Sequence, residues 1–243
     1  MNFKLNYSNN GDIIGKIGSR LISLNETTGK EEIHIKGIEP CPNINKERDV
    51  LFIFGQSGSG KSYYVMMYSN NYKKIYPKRP IYCFSTVGSD GGSLDKIKSL
   101  KRIDLNLLLQ DNEVIETKNF KNSLIIFDDV DNISDKKLKN LVWKYMNNFL
   151  QTGRHYNISV CITFHVGCAG NETKMILNEA TSITYFPITI GARALKYICD
   201  SYLGLSKKQL EKLKKIESRW ITINKTYPKT ILTENQAYIL RND

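Results

Sequence analysis

The pattern of apolar and polar positions changes character once, near residue 49. Before it, DIIGKIGSRLISL (12–24) and EEIHIKGI (31–38) alternate over short spans, which predicts two or three strands, and EPCPN (39–43) breaks the chain. After it, DVLFIFG (49–55) is apolar without alternation and stops at a glycine, as a central strand of a parallel sheet does when both its faces are buried. KSYYVMMYSNNY (61–72) predicts a helix, and RPIYCFS (79–85), SLIIFDD (123–129), NISVCITFH (157–165) and TSITYFP (181–187) predict the second to fifth strands. Between the third and fourth strands, Leu138, Leu141, Val142, Tyr145, Met146, Phe149 and Leu150 recur at helical spacing, with Ser134 as the expected N-cap and Gly153 as the stop. Strands alternating with helices predict an α/β fold, a three-layer αβα sandwich around a mostly parallel sheet. Residues 1–48 are expected to form a small β-rich N-terminal appendage on a main domain of residues 49–243. Past residue 190, RALKYICDSYLGLSKKQLEKLKK predicts one or two helices with Leu205, Leu210, Leu213 and Ile216 turned inward. SRWITINKTYPKTILT (218–233) predicts a hairpin, with Trp220 in the core.

Composition adds little to this picture except charge. Of the 243 residues, 41% are hydrophobic and 24% charged, ordinary for a globular chain, and the apolar runs fall far short of a membrane span. MNFKLNYSNN lacks the charged head and apolar stretch of a secretory signal, so the chain is not expected to be secreted. Five cysteines, an odd number without a CxxC spacing, argue for reduced thiols rather than a disulfide framework or a zinc site. The net charge of +11, with a pI near 9.3, favours approach to a polyanion.

The chemistry is concentrated in GQSGSGKSYY: Gly55, Gln56, Ser57, Gly58, Ser59, Gly60, Lys61, Ser62 and Tyr63, lying between a strand and a helix. Glycines let backbone N–H groups close on phosphate oxygens, and the helix that begins at Lys61 points its positive end at the same anion. Lys61 can reach the β- and γ-phosphates of ATP, and the Ser62 hydroxyl can hold Mg²⁺. Asp128 and Asp129 end the third strand, where alternation sends their side chains to opposite faces. Asp128 is the expected Mg²⁺ partner, through water, and Asp129 the group that positions or deprotonates the attacking water. Asp131 is expected to belong to the turn into the next helix.

Taken in order, LFIFGQSGSGKS, IYCFS with an acidic residue soon after it (Asp90 or Asp95), LIIFDDV, a helix, GRH and ISVCITFH resemble the DNA-packaging ATPases of large DNA viruses and virophages. These form the poxvirus-like branch of the FtsK/HerA superfamily, and the resemblance covers about residues 49–190. It implies a P-loop NTPase of the RecA/FtsK-like ASCE class that forms a homo-oligomeric ring and drives double-stranded DNA into a preformed capsid. A capsid or portal component would be its partner, and the host cytoplasm (viral factory) or the virion its location. By the same resemblance, an arginine from one subunit completes the neighbour's site, Arg154 being the first choice and Arg193 the rival. His165 stands where the family more often has a glutamine that senses the γ-phosphate, with Thr163 as the alternative. His155 is expected to pack or hydrogen-bond rather than bind metal. Two other readings of the same loop remain: a small-molecule phosphotransferase, and a nucleotide-gated assembly module without useful turnover.

Overall fold

The computed structural model describes residues 2–86, 88–89, 91–110 and 115–241. The N-terminal alternating runs become five short strands: β1 (Lys4–Asn6), β2 (Asp12–Ile17), β3 (Arg20–Asn25), β4 (Glu32–His34) and β5 (Ile38–Glu39). Four of them form an antiparallel sheet in the order β1-β3-β2-β5. The chain then enters the main sheet through β6 (Val50–Phe54), α1 (Lys61–Ile75), β7 (Ile81–Ser85), β8 (Leu100–Ile103), α2 (Leu105–Gln110), β9 (Leu124–Asp128), α3 (Lys136–Thr152) and β10 (Ser159–Phe164). It finishes with α4 (Asn171–Glu179), β11 (Ser182–Tyr185), α5 (Ala192–Ser201), α6 (Lys207–Lys214), β12 (Ile221–Asn224), β13 (Thr230–Thr233) and β14 (Gln236–Ile239).

The main sheet has ten strands in the order β4-β14-β13-β12-β11-β6-β10-β9-β7-β8. Strands β11 to β8 in that order are mutually parallel, and β6 lies between β10 and β11 with Val160 opposite Val50 and Ser182 opposite Leu51. The expected hairpin, β12 with β13, extends this sheet antiparallel from β11, and β14 and then β4 continue it. One strand of the N-terminal segment is thus an edge strand of the main sheet.

Strand alternation sorts the core into two halves. Phe52, Phe54, Ile125, Phe127, Val160 and Ile162 point to the face covered by α3, α4, α5 and α6, where the stripe Val142, Tyr145, Met146, Phe149 and Leu150 packs. Leu51, Ile53, Leu124, Ile126 and Cys161 point to the other face, where Tyr64, Val65, Tyr68 and Tyr72 of α1 meet Leu5, Ile14, Ile22 and Leu24. A single helix leaves much of that second face bare, and the N-terminal sheet covers the remainder. On α6, Leu210 and Leu213 are buried, as is Leu205 just before it, while the lysines face solvent. Trp220 is also buried, and the five cysteines are unpaired.

The N-cap of α3 is Asp135, not Ser134: its carboxylate accepts from the Leu138 N–H at 2.8 Å. A carboxylate at a helix N-terminus adds charge to the hydrogen bond, so the cap falls one residue later than expected. Gly153 does follow the end of α3, and the reason is a neighbour. Arg48 donates to Phe149 O at 2.8 Å and Leu150 O at 2.6 Å, and a Cβ at Gly153 would stand 2.8 Å from its Nη1.

Asp49, at the entry to β6, accepts from the Tyr68 hydroxyl at 2.7 Å and from the Asn43 N–H at 2.9 Å. Burial pushes its carboxyl up to about 6 despite those two bonds. The folded chain therefore holds this proton more tightly than the unfolded one, whose carboxyl titrates near ~3.9. The stabilisation is full below about pH 4 and is lost as pH rises through about 6, amounting to about 3 kcal/mol. Asp49→Asn stays neutral throughout. It should melt roughly 6–12 °C above the wild type at pH 7.5, with the gap closing at pH 4. A melting difference independent of pH would contradict this account of Asp49.

Candidate nucleotide site

The carboxyl ends of the parallel strands meet at one edge of the sheet, where open α/β sheets bind ligands. β6 ends at Phe54, and the loop 55–60 leads into α1 at Lys61. Gly58 (φ 75°) and Gly60 (φ 110°) take left-handed backbone conformations that L side chains rarely adopt. At Gly55 the constraint is space, since a Cβ would lie 2.8 Å from Ser59 Oγ and 2.9 Å from the Phe186 ring. α1 begins with no side-chain cap and no acidic residue in its first turn, so its leading N–H groups and dipole are left for an external anion. The Ser59 hydroxyl is buried without a partner in the same loop. A loop with these properties fits a nucleotide's phosphates.

Lys61, 5% exposed, is folded back into this cradle. Its Nζ donates to Gly55 O at 2.9 Å and to Gln56 O at 3.4 Å, and lies 3.4 Å from Asp129 Oδ1. Ser62 is half-buried in the first turn of α1 and Tyr63 is exposed. Burial, reinforced by the neighbouring Asp129 charge, pushes the Asp128 carboxyl up to about 6. Such a group gains from a bound cation, and the oxygen-only pair of Ser62 and Asp128 suits Mg²⁺.

The two carboxylates do not diverge to opposite faces. Asp129 leaves the strand at φ 49°, which breaks the alternation, and both side chains converge on one hydroxyl. Thr163 Oγ1 lies 2.9 Å from Asp128 Oδ1 and 3.2 Å from Asp129 Oδ1, and it accepts from the Asp129 N–H at 2.9 Å. Aspartate tolerates a left-handed conformation better than most residues, and conformations of this kind cost on the order of 1–3 kcal/mol. Here the buried Thr163, opposite Asp128 across the β9–β10 ladder, holds that geometry.

His165, just beyond β10, sits between two carboxylates. Its Nε2 is 3.6 Å from Asp129 Oδ2 and its Nδ1 is 3.4 Å from Asp131 Oδ1, while its backbone N–H donates to Asp131 Oδ2 at 2.8 Å. Asn132 Nδ2 also approaches Nδ1, at 3.0 Å. Asp131 does lie in the turn after β9, and it also orients His165. The sequence signal for this was only its position two residues after the acidic pair.

Other expected residues lie elsewhere. Arg154 is in the turn before β10, at the opposite end of that strand from His165, and its Nε donates to Glu47 Oε2 at 2.6 Å on the surface. It is outside this subunit's own site. Arg193 is exposed in the first turn of α5, which follows β11 on the phosphate-loop side of the sheet. His155 is exposed beside Arg154. Asp95 accepts from Arg102 at 2.7 Å, an ion pair that holds its carboxyl down to about 2, and Asp90 lies outside the described residues. Arg219, which the sequence pattern did not single out, lies against Gly60.

Solved structures share this fold, among them two with TM-scores above 0.5. The DNA-packaging ATPase B204 from Sulfolobus turreted icosahedral virus aligns with a TM-score of 0.53 over 82% of this chain and 100% of its own, at 17% identity. The pCW3 conjugation coupling protein TcpA, solved with ATPγS, aligns with a TM-score of 0.51 over 96% of this chain and 77% of its own, at 13% identity. Fold and loop together define a P-loop αβα protein with the architecture of these two. No protein-family model matches the chain. The uncharacterized protein V3 of Sputnik virophage is 40% identical over 233 residues, 93% of this chain and 92% of V3, and the chain belongs to the V3 family. Among the described residues, no helix is long and apolar enough to cross a membrane.

Proposed function

We propose that this protein is an ATPase that translocates double-stranded DNA into a preformed viral capsid, hydrolysing ATP to ADP and phosphate. The observation that carries the proposal is the arrangement of Lys61, Asp128, Asp129 and Thr163 beside an uncapped helix N-terminus. The packaging assignment draws on the fold shared with B204, on virophage kinship and on the +11 charge, which suits a sequence-independent grip on phosphate backbone.

The residues divide the work as follows. The loop N–H groups and Lys61 bind the phosphates, and Lys61 exchanges Asp129 for the anion. Asp129, so released, accepts the proton of the attacking water, while Thr163 holds both carboxylates in place. Mg²⁺, which Ser62 and Asp128 would hold, neutralises phosphate charge when bound. His165, in contact with Asp129, is placed to respond to the γ-phosphate. An arginine from the neighbouring subunit of a homo-oligomeric ring, Arg154 or Arg193, supplies a permanent cation to the transferring phosphoryl group. A capsid or portal component is the proposed docking partner, in the host viral factory or the virion.

Steady-state phosphate release tests this assignment. Release from ATP and Mg²⁺ should proceed without any small-molecule acceptor and rise several-fold with duplex DNA. Turnover that requires a small acceptor would make the protein a phosphotransferase instead.

A further inference from the structure

Arg219 occupies the junction between α6 and β12. Its neighbour Trp220 is buried edge-on against Tyr64 of α1, with ring centroids 5.1 Å apart. The Arg219 N–H approaches Glu234 Oε1 at 3.4 Å. These contacts hold the chain here against the first turn of α1 and bring the guanidinium over the phosphate loop. A Cβ built on Gly60 would lie 3.2 Å from Arg219 Nη2 and 3.3 Å from its Nε, and the guanidinium carbon is 5.6 Å from the centre of the Tyr63 ring. Among the described residues, no carboxylate forms an ion pair with this guanidinium.

That placement is electrostatically unfavourable for the chain alone. A permanent cation lies beside the positive end of α1, against Gly60, the residue before Lys61, with no acidic residue in the helix's first turn. Among the described residues it is the face of Tyr63 that offsets this, and a partly exposed cation–π contact at this distance offsets little, about 0.5–1 kcal/mol. An anion in the loop would relieve all of these repulsions together.

We infer that Arg219 is a nucleotide-binding residue of its own subunit, contacting the phosphates that ATP and ADP share. The inference rests on the reading of loop 55–62 as a nucleotide site. Backbone N–H groups at this part of a P-loop close on the α- and β-phosphates, and Arg219 lies against Gly60 and Tyr63. Lys61 and Asp129 mark the γ side of the loop. Arg219 therefore acts within one subunit and is distinct from the arginine expected from a neighbour. Stacking on Tyr63 keeps the guanidinium near the loop before nucleotide arrives, which lowers the ordering cost of binding.

The test is a titration of the full chain with fluorescent ADP and fluorescent ATPγS, comparing wild type, Arg219→Ala, Arg219→Gln and Lys61→Ala. Loss of a charge-assisted contact should weaken binding about tenfold or more. Both Arg219 variants should show that loss, equally for the two nucleotides, while the melting temperature without nucleotide does not fall, because the side chain is exposed and its charge opposes the positive end of α1. Wild-type affinity in either Arg219 variant, with Lys61→Ala losing binding, would overturn the role of Arg219 alone. A loss confined to ATPγS would overturn the assignment to the shared phosphates. A wild-type protein that binds neither nucleotide would overturn the loop reading, and this inference with it.

Discussion

Lys61→Ala abolishes nucleotide binding, weakening the affinity for ATPγS by about 100-fold or more in calorimetric titration, and hydrolysis disappears with it. The expectation follows from where the ammonium sits. Lys61 is 5% exposed and bonded to Gly55 O at 2.9 Å, so it is fixed inside the cradle rather than sampling solvent. The substitution removes the buried cation that faces the phosphates and leaves Asp129 without its Lys61 ion pair at 3.4 Å. An uncompensated carboxylate there repels the γ-phosphate, adding repulsion to the lost attraction. Retained affinity would show that the backbone N–H groups and Arg219 suffice, and would demote Lys61 to a structural residue.

Asp129→Asn separates binding from chemistry. Phosphate release should fall by roughly 10²–10⁴-fold, the range expected when a general base is lost, while ATPγS affinity stays within a few-fold of wild type. Asparagine is also tolerant of the left-handed backbone at φ 49°, and the bond from the residue 129 N–H to Thr163 Oγ1 uses the main chain, so the local fold survives. The Lys61 contact weakens without being replaced by a like charge. Unchanged turnover would remove Asp129 as the base and direct attention to a water held by other groups.

Much of this architecture is legible in the chain because a parallel core strand has few alternatives. β6 and β9 are continuous apolar runs, β10 and β11 are apolar runs interrupted by Thr163 and Thr184, and the four end at Gly55, the Asp128–Asp129 pair, His165 and Pro187 on one edge. The α3 stripe is legible for the same reason: seven apolar positions at helical spacing have one face to bury. The antiparallel extension was harder to see. β14 and the edge strand β4 are short and pair non-locally, Ala237 with Ile33, and local pattern carries no record of such a partner. Convergence of Asp128 and Asp129 was illegible because strand alternation fails at Asp129, whose φ turns positive. Arg219 lies more than 150 residues from the loop that it covers, and the packing of Trp220 on Tyr64 and the approach of its N–H to Glu234 bring it there.

The central claim is that this site drives DNA movement in an assembled ring. Its most direct test is phosphate release measured together with particle mass, with and without duplex DNA, using Lys61→Ala as the control. The account predicts particles at a multiple of the 27.9 kDa chain mass and turnover stimulated several-fold by duplex DNA, both activities vanishing in Lys61→Ala. A 27.9 kDa monomer whose phosphate release is indifferent to duplex DNA would contradict it.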